Sequence, residues 1–265
     1  MSPPADLSRI SLGSPLPHLE PRSRRLAARA LIALYGPLVR VENRERAAVS
    51  PDPTLFVFNH NNSFESVGIP ALLVALRRGR LVHMLIDWMF LELPVIGWVM
   101  RQVEPIPVFS KPARWRWREG FRQSQLHRSA IDEAVALLAA GRSVGLFPEG
   151  TRHPDPRQLG RVRPGLARIV SRSEAPVVPV GIEFPAAAGA DRVPHVGRMV
   201  MRIGEPVDLD RERAAGAAGM PWPELRSAME TRVMGALGPL CGKAWRPTET
   251  APGACGAMEV CHDVS

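Results

Sequence analysis

A histidine and a glutamate five positions apart are the residues of this chain whose types and spacing could transfer a proton. They lie in "FVFNHNNSFESVG" (56–68), where His60 follows an apolar run and Glu65 follows a short polar turn. An imidazole can act as a general base near neutral pH, and a carboxylate on its other nitrogen would fix the tautomer and stabilise the imidazolium. Such a pair would act without a protein nucleophile, on a hydroxyl of the substrate itself.

The same residues also fit a purely structural role at the start of a helix. Asn62-Ser63-Phe64-Glu65 has the spacing of a capping box, in which the glutamate bonds back to the amide of the first residue. Taken alone, the local pattern favours the cap, and both interpretations stay open at this point.

A second polar strand end follows in "LFPEGTR" (146–152). Here Gly150 permits close backbone approach, Thr151 offers a hydroxyl, and Arg152 offers a planar fork suited to phosphate or carboxylate. The alternative is an ordinary turn with a surface ion pair. Ligands of α/β proteins bind beyond the carboxyl ends of the strands, so two such ends in one sheet predict one shared cleft.

The elements that must position these residues alternate between short apolar runs and helical stretches. Strands are predicted over 54–58, 81–86, 104–109, 143–147, 175–184 and 198–204, and helices over 66–79 and 129–141. Strands separated by helices predict an α/β fold, a single domain with a mostly parallel central sheet flanked by helices.

The domain boundaries follow from composition. We expect a flexible N-terminal tail over 1–21, a basic amphipathic helix over 22–40, the main domain over 41–245 and a flexible C-terminal tail over 246–265. The basic helix could lie on an anionic bilayer or pack on the domain core, and the sequence does not choose between the two.

Composition narrows the classes of function. The formal net charge is +8, which argues for an anionic partner such as a membrane surface, a nucleic acid or a phosphorylated substrate. The three cysteines, Cys241, Cys255 and Cys261, predict neither a disulfide framework nor a zinc site, and we place them in a loose tail. We also expect no signal peptide and no membrane-spanning helix.

Two further segments suggest other functions. "KPARWRWREGFRQSQLHR" (111–128) interleaves basic and aromatic residues, which suits single-stranded nucleic acid, a membrane interface or a solvated loop. "GRSVG" (141–145) matches G-x-S-x-G, but a predicted helix precedes Ser143 and a strand follows it. A nucleophile elbow needs the reverse order, so the sequence argues against a serine hydrolase.

Several segments together resemble one known family. Asn59-His60 with an acid five positions after the histidine, "FPEGTR", "VRPGLARI" (162–169), "VVPVGIE" (177–183) and "RIGEPVDL" (202–209) resemble the 1-acyl-sn-glycerol-3-phosphate acyltransferase family, whose members acylate lysophospholipids and related glycerolipids. Their order and separations also resemble the family's. On this resemblance, residues 41–245 are interpreted as an acyltransferase domain.

The resemblance implies transfer of a fatty acyl group from acyl-CoA, or from acyl carrier protein, to a hydroxyl of a lysophospholipid or related lipid. His60 would be the general base and Glu65 its orienter, while Pro179 would shape the acyl-donor side. The residues implied to hold the acceptor are Glu149, Gly150, Thr151, Arg152 and Arg163. The implied chemistry needs no metal and no cofactor beyond the acyl thioester. The expected location is peripheral, on the cytoplasmic face of the cell membrane, with an anionic membrane surface as partner and no nucleic acid.

The chain departs from the family pattern at two places. Glu65 stands where the family normally has aspartate, which keeps the charge and adds one methylene. The second family motif usually ends in an arginine that contacts phosphate, whereas this chain has Phe109-Ser110 in "EPIPVFS". Two alternatives therefore stay open: a lipid-binding relative that has lost catalysis, and an acyltransferase whose acceptor is not a glycerophosphate.

Overall fold

A seven-stranded sheet forms the centre of the computed structural model, which describes residues 13–113 and 116–247. The strands are β1 (Val39–Glu42), β2 (Leu55–Phe58), β3 (Val82–Asp87), β4 (Ile106–Val108), β5 (Ser143–Leu146), β6 (Val177–Glu183) and β7 (Met199–Ile203). The helices are α1 (Arg22–Tyr35), α2 (Arg44–Val49), α3 (Ser63–Leu76), α4 (Pro94–Arg101), α5 (Arg116–Gln125), α6 (Ala130–Ala139), α7 (Gly165–Val170), α8 (Asp210–Ala217) and α9 (Trp222–Cys241).

The strand order is β1-β7-β6-β2-β5-β3-β4. The five strands from β6 to β4 run parallel, β7 runs antiparallel to β6, and β1 runs parallel to β7. The predicted α/β fold with a mostly parallel sheet is confirmed. Because β2 and β5 are neighbours and parallel, the two polar strand ends found in the sequence emerge at the same edge of the sheet.

Both faces of the sheet are covered, as a parallel sheet requires. Successive side chains of a strand point to opposite faces. In β2, Phe56 and Phe58 therefore join one core cluster with residues of α1 and α3, while Leu55 and Val57 join a second cluster with α6, α7 and α9. The helix that follows the site histidine is consequently fixed against a rigid, fully buried strand.

The N-terminal region differs from the prediction. The expected helix over 22–40 ends at Tyr35, and Val39 already begins β1. Leu16 and Leu19, which fall in the expected flexible tail, are buried in the first core cluster. Residues 13–21 therefore pack on the domain, whereas residues 1–12 and 248–265 lie outside the described part of the chain.

The cysteine expectation is also corrected. Cys241 closes α9 and is buried, with its thiol bonded to the carbonyl of Leu237 at 3.4 Å. Burial raises the pKa of this thiol to about 12, so it is a structural side chain rather than part of a loose tail. Cys255 and Cys261 lie outside the described residues.

None of the helices in the described ranges combines the length and apolar character needed to cross a bilayer.

Candidate active site

His60 lies in the loop that leads from β2 into α3. Asn59, just before it, makes two hydrogen bonds with the backbone of Ile182 on β6. Its Nδ2 donates to the Ile182 carbonyl at 2.9 Å, and its Oδ1 accepts the Ile182 N–H at 2.6 Å. The ring of Phe147, at the end of β5, packs against the His60 ring with 4.5 Å between centroids. His60 is thus fixed between the ends of two neighbouring strands, with 15% of its side chain exposed.

Glu65 lies beneath His60 in the first turn of α3 and is fully buried. Its Oε1 accepts the backbone N–H groups of Asn61 and, at 3.2 Å, Asn62, and its Oε2 accepts the Asn61 Nδ2 at 2.8 Å. The Asn62 side chain in turn caps the backbone N–H groups of Phe64 and Glu65. The capping box predicted from the sequence is therefore present.

The same carboxylate also faces the histidine. Glu65 Oε1 lies 3.5 Å from His60 Nδ1, at the outer limit of a hydrogen bond. In the part of the chain that the structure describes, His60 Nε2 has no hydrogen-bond partner. Capping and orientation of the imidazole are therefore compatible in one side chain, and the geometry leaves Nε2 as the nitrogen available to a substrate.

Glu149, at the end of β5, is turned into the protein. Only 2% of the residue is exposed, and its oxygens accept the backbone N–H of His60 at 2.9 Å and that of Gly160 at 2.7 Å. Burial raises the pKa of Glu149, although the two backbone donors and Lys243 oppose this shift. The expectation that Glu149 holds the acceptor does not match this placement, because the carboxylate ties the His60 loop to the neighbouring strand end.

The exposed residues that follow Glu149 form the rim beside His60. Gly150 has a φ of +62°, and a Cβ there would lie 2.8 Å from the Cγ of Arg163. The Arg163 side chain therefore passes across the turn. Arg152 donates from Nη1 at 2.9 Å to the hydroxyl of Ser63, which follows His60 by three residues. Thr151, next to Arg152 on this rim, is exposed. The structure brings both predicted arginines to the edge that carries His60.

Pro179 lies elsewhere in the sheet. It is buried in the middle of β6, paired with Val57 of β2, and its carbonyl accepts the Gly204 N–H at 2.8 Å. Within the described part of the chain, no hydrogen bond or strand pairing joins Pro179 to His60. Its predicted role at the acyl-donor side stays a prediction.

The region of the missing second-motif arginine contains an ion pair instead. Phe109 is buried and Ser110 is exposed at the end of β4. Lys111 follows, with its Nζ 3.0 Å from Asp87 Oδ2 at the end of β3. A carboxylate therefore already engages Lys111, the cation nearest in sequence to the expected arginine position.

Sequence reasoning missed Lys243, which follows α9 and donates from Nζ to Asn61 Oδ1 at 2.5 Å. The sequence around it, "CGKAW", matches no motif. One signal was available: the chain has only two lysines, Lys111 and Lys243, among its 34 basic residues.

The other sequence hypotheses can be placed as well. Ser143 is buried within β5, and its hydroxyl donates to Asp52 and accepts the Thr54 N–H, so it is not exposed at a nucleophile elbow. Within the described ranges, no cluster of three or more His, Cys, Asp or Glu side chains could hold a metal ion. A surface cavity of about 590 Å³ lies between α8 and α9, and its lining contains none of the predicted site residues.

Comparison with known proteins finds similarity to acyltransferases. A chloroplastic 1-acyl-sn-glycerol-3-phosphate acyltransferase from Arabidopsis thaliana is 24% identical over 172 residues, which is 64% of this chain and 43% of that protein. The enzyme of the same name from Bacillus subtilis is 33% identical over 101 residues, or 38% of this chain and 46% of that protein. The chain spans less than half the length of the curated relatives it matches.

A solved structure shares the fold. The crystal structure of the 1-acyl-sn-glycerophosphate acyltransferase PlsC from Thermotoga maritima aligns with a TM-score of 0.52 and 20% identity, covering 83% of this chain and 78% of that one. The Acyltransferase family model matches residues 38–183, more than half of the sequence, including His60, Glu65 and the 149–152 turn. The chain therefore belongs to the acyltransferase family.

Proposed function

We propose that this protein transfers a fatty acyl group from an acyl thioester, acyl-CoA or acyl carrier protein, to a hydroxyl of a lysophospholipid. The observation that carries the proposal is the partly exposed His60 above the fully buried Glu65, at the same sheet edge as Arg152. The names of the curated relatives make 1-acyl-sn-glycerol-3-phosphate the first acceptor to test.

The reaction begins with proton transfer at His60. Its Nε2 takes the proton of the acceptor hydroxyl while the hydroxyl oxygen attacks the thioester carbonyl. Glu65 holds the ring through Nδ1 and stabilises the positive charge that develops on the imidazole. The tetrahedral intermediate then expels the thiolate, which takes the proton from the imidazolium, so the products are the acylated lipid and the free thiol.

The arginines of the rim bind the anionic part of the acceptor. Arg152 and Arg163 flank the 149–152 turn and offer planar, multidentate donors that suit a phosphate. Their position beside His60 supports a binding mode in which the acceptor's hydroxyl lies near the base while its phosphate is held.

A second candidate acceptor is a lipid without a simple phosphomonoester. The specific observation is the end of β4, where Phe109 is buried and Lys111 is already paired with Asp87 at 3.0 Å. A phosphate bound here would compete with that ion pair, so an acceptor carrying a smaller anionic charge fits this edge as well.

We further propose that the protein works on an anionic membrane surface, on the cytoplasmic face. The segment 88–101 and helix α5 expose large apolar residues close to basic ones: Phe90, Val95, Ile96, Trp98, Trp117 and Phe121. The two segments form one surface because Arg118 pairs with Glu92 at 2.9 Å and the rings of Trp88 and Phe121 lie 6.1 Å apart. Exposed tryptophans among arginines favour the lipid interface over nucleic acid.

Acyl transfer is tested directly with purified protein. We expect thiol release from acyl-CoA that depends on 1-acyl-sn-glycerol-3-phosphate, and its loss in His60→Ala at unchanged melting temperature. Arg152→Ala should raise the KM for the phosphorylated acceptor about 10-fold or more, the cost of one charge-assisted contact. Arg172→Ala, which removes an exposed arginine paired with Asp132, is the matched control.

Two outcomes would overturn the proposal. Full turnover in His60→Ala would show that His60 is not the general base. If the unaltered protein released no more thiol than His60→Ala with either phosphorylated or neutral acceptors, the result would favour a lipid-binding protein without acyl transfer. A preference for the neutral acceptor, insensitive to Arg152→Ala, would favour the second candidate.

Membrane binding is tested separately. Trp98→Asp should weaken sedimentation with vesicles containing phosphatidylserine, whereas Met220→Asp, in the turn between α8 and α9, should not. Equal vesicle binding by both variants and the unaltered protein would show that the surface around Trp98 does not bind the membrane. Binding of an oligonucleotide in place of the vesicles would point to the nucleic-acid alternative.

A further inference from the structure

A single lysine that is distant in sequence reaches into the hydrogen-bond network beneath His60. Lys243 follows the C-cap of α9, Gly242, and only 7% of it is exposed. Its backbone N–H bonds to the carbonyl of Gly238 at 3.0 Å, and the next residue, Ala244, pairs with the 157–159 segment. The main chain is thus fixed on both sides, so the side chain is directed inward by the fold.

The ammonium of Lys243 determines how the Asn61 amide is oriented. Lys243 Nζ donates to Asn61 Oδ1 at 2.5 Å, so the amide must present its NH₂ group in the opposite direction. That NH₂ group donates to Glu65 Oε2 at 2.8 Å and to the Ile182 carbonyl at 3.2 Å. A hydrogen-bonded path therefore runs from Lys243 through Asn61 to Glu65, whose other oxygen faces His60.

Lys243 also balances two buried carboxylates. Glu65 is fully buried and Glu149 nearly so, and each contacts the His60 loop. The titratable groups that face Lys243 are Glu149 and Asp155 in the loop between β5 and α7, Glu65 on α3 and Cys241 on α9. The pKa of Lys243 is lowered by burial, and the Coulomb attraction of Glu149, the strongest among these groups, opposes that shift.

We propose that Lys243 is a positioning residue for the His60–Glu65 pair, acting through Asn61 and through its charge. It holds Asn61 in the orientation that supports the Glu65 carboxylate below the imidazole. This inference rests on the proposed acyl transfer for its kinetic readout. It concerns a residue outside the matched family region, which ends at residue 183.

The use of lysine fits this role. The chain carries arginine at nearly all of its basic positions, and Lys111 is the only other lysine. A lysine provides a compact point charge, whereas the larger guanidinium fork would need more space and more acceptors.

The direction of the pH effect follows from the charges. Transfer requires neutral His60 and ionised Glu65. Removing the cation should favour the protonated form of both groups, because a nearby positive charge favours the neutral imidazole and the ionised carboxylate. Both changes should move the acid limb of the pH–rate profile to higher pH.

The test compares Lys243→Met with Lys243→Arg and with Arg172→Met, which removes an exposed cation paired with Asp132. For Lys243→Met we expect the acid limb of kcat to move to higher pH, and each pH unit of that shift lowers the rate about 10-fold on the limb. KM for both substrates should stay within about 2-fold, because the ammonium contacts neither. Lys243→Arg keeps the charge in a tighter fit and should move the limb less than Lys243→Met does, whereas Arg172→Met should leave it in place.

A second variant covers the case in which Lys243→Met does not fold. Lys243→Met combined with Glu149→Gln removes opposite charges together, which a buried site tolerates better than the loss of one partner. The double variant should still show the raised acid limb relative to Glu149→Gln alone. Identical pH profiles for these two proteins, or for Lys243→Met and the unaltered protein, would overturn the proposal.

An activity-independent measurement separates this inference from the proposed function. NMR titration of the His60 imidazole, identified by its absence in His60→Gln, should show a higher pKa in Lys243→Met. If the unaltered protein transfers no acyl group, the proposed function fails while the titration still tests the coupling. An unchanged His60 titration in a folded Lys243→Met protein would refute the coupling even if acyl transfer is established.

Discussion

Replacing Glu65 by glutamine should remove the charge under His60 while it keeps the side-chain shape. The carboxylate now accepts hydrogen bonds at both oxygens, from two backbone N–H groups and from the Asn61 amide. Glutamine offers a single acceptor oxygen, so its NH₂ group must face one of these donors. Asn61 cannot turn its own amide round, because its oxygen accepts from Lys243.

The expected magnitudes follow from this conflict. One unsatisfied buried donor costs about 1–3 kcal/mol, which lowers the Tm by about 2–4 °C per kcal/mol in a protein of this size. The loss of the orienting charge should lower kcat by about 10²–10⁴-fold, the usual contribution of positioned proton transfer. Stability and activity therefore change by different amounts, and the activity loss is the larger in free energy.

The assay is acyl transfer per folded protein, measured beside thermal unfolding. Glu65→Asp keeps the charge but withdraws the carboxylate by about 1.5 Å, one carbon–carbon bond. Its kcat should therefore fall between those of the unaltered protein and Glu65→Gln. The matched control is Ser129→Ala, which removes the N-cap of α6 and should cost about 1 kcal/mol without any change in kcat.

One result would refute this reasoning. If Glu65→Gln loses stability like Ser129→Ala but keeps full turnover, Glu65 is only a helix cap. The base would then work without an oriented partner.

Three further predictions concern the surroundings of the site. Gly150→Ala should cost about 1–2 kcal/mol, because φ is +62° and the new Cβ would meet Arg163, and it should raise the acceptor KM; thermal unfolding and kinetics would show both. Asn59→Ala should cost about 1–3 kcal/mol in urea unfolding, since it leaves a buried backbone N–H without its acceptor. Ser143→Ala should keep full transfer activity, contrary to a serine hydrolase. Burial disfavours ionised Asp52, but hydrogen bonds from Ser143 and an arginine outweigh this effect and lower the pKa of Asp52 in the folded protein. The Ser143 hydrogen bond therefore contributes stability above about pH 4, the unfolded pKa of Asp52. The stability lost in Ser143→Ala should shrink as the pH falls below that value.

The strands that carry the site were predictable because they are buried on both faces. β2, β5 and β6 read as unbroken apolar runs, and polar residues end them abruptly, which places His60 and the 149–152 turn at strand ends. The reversal at β7 was not predictable. Its sequence, "MVMRI", is as apolar as that of a parallel strand, and its direction depends on pairing with β6 rather than on its own composition.

The N-terminal segment shows a different limit. The sequence around Leu16 and Leu19 is rich in proline and serine, and such composition is typical of tails. These two leucines are nevertheless buried, and the segment is held near the turn after α3, where a Cβ on Gly79 would lie 2.9 Å from Leu19. Two apolar side chains are enough to dock a short segment when a surface groove is already present, and local composition does not reveal the groove.

Within the site, residue types were easier to predict than their orientation. The motif around Glu149 indicated an acceptor-binding turn, and Arg152 and Arg163 do lie on the rim. Glu149 itself points inward, because two backbone N–H groups at the strand ends need an acceptor. The rarity of lysine was visible in the sequence, but the contact of Lys243 with Asn61 was not, since 182 residues separate the two.

That separation also has a consequence for how the protein folds during synthesis. The ribosome releases the His60 and Glu149 segments long before α9 and Lys243 can emerge. Until α9 docks, these two strand ends hold carboxylates without their ammonium, and charges of one sign resist burial together. We therefore expect the start of α3 to stay hydrated in the nascent chain and to close over Glu65 only when the last helix arrives.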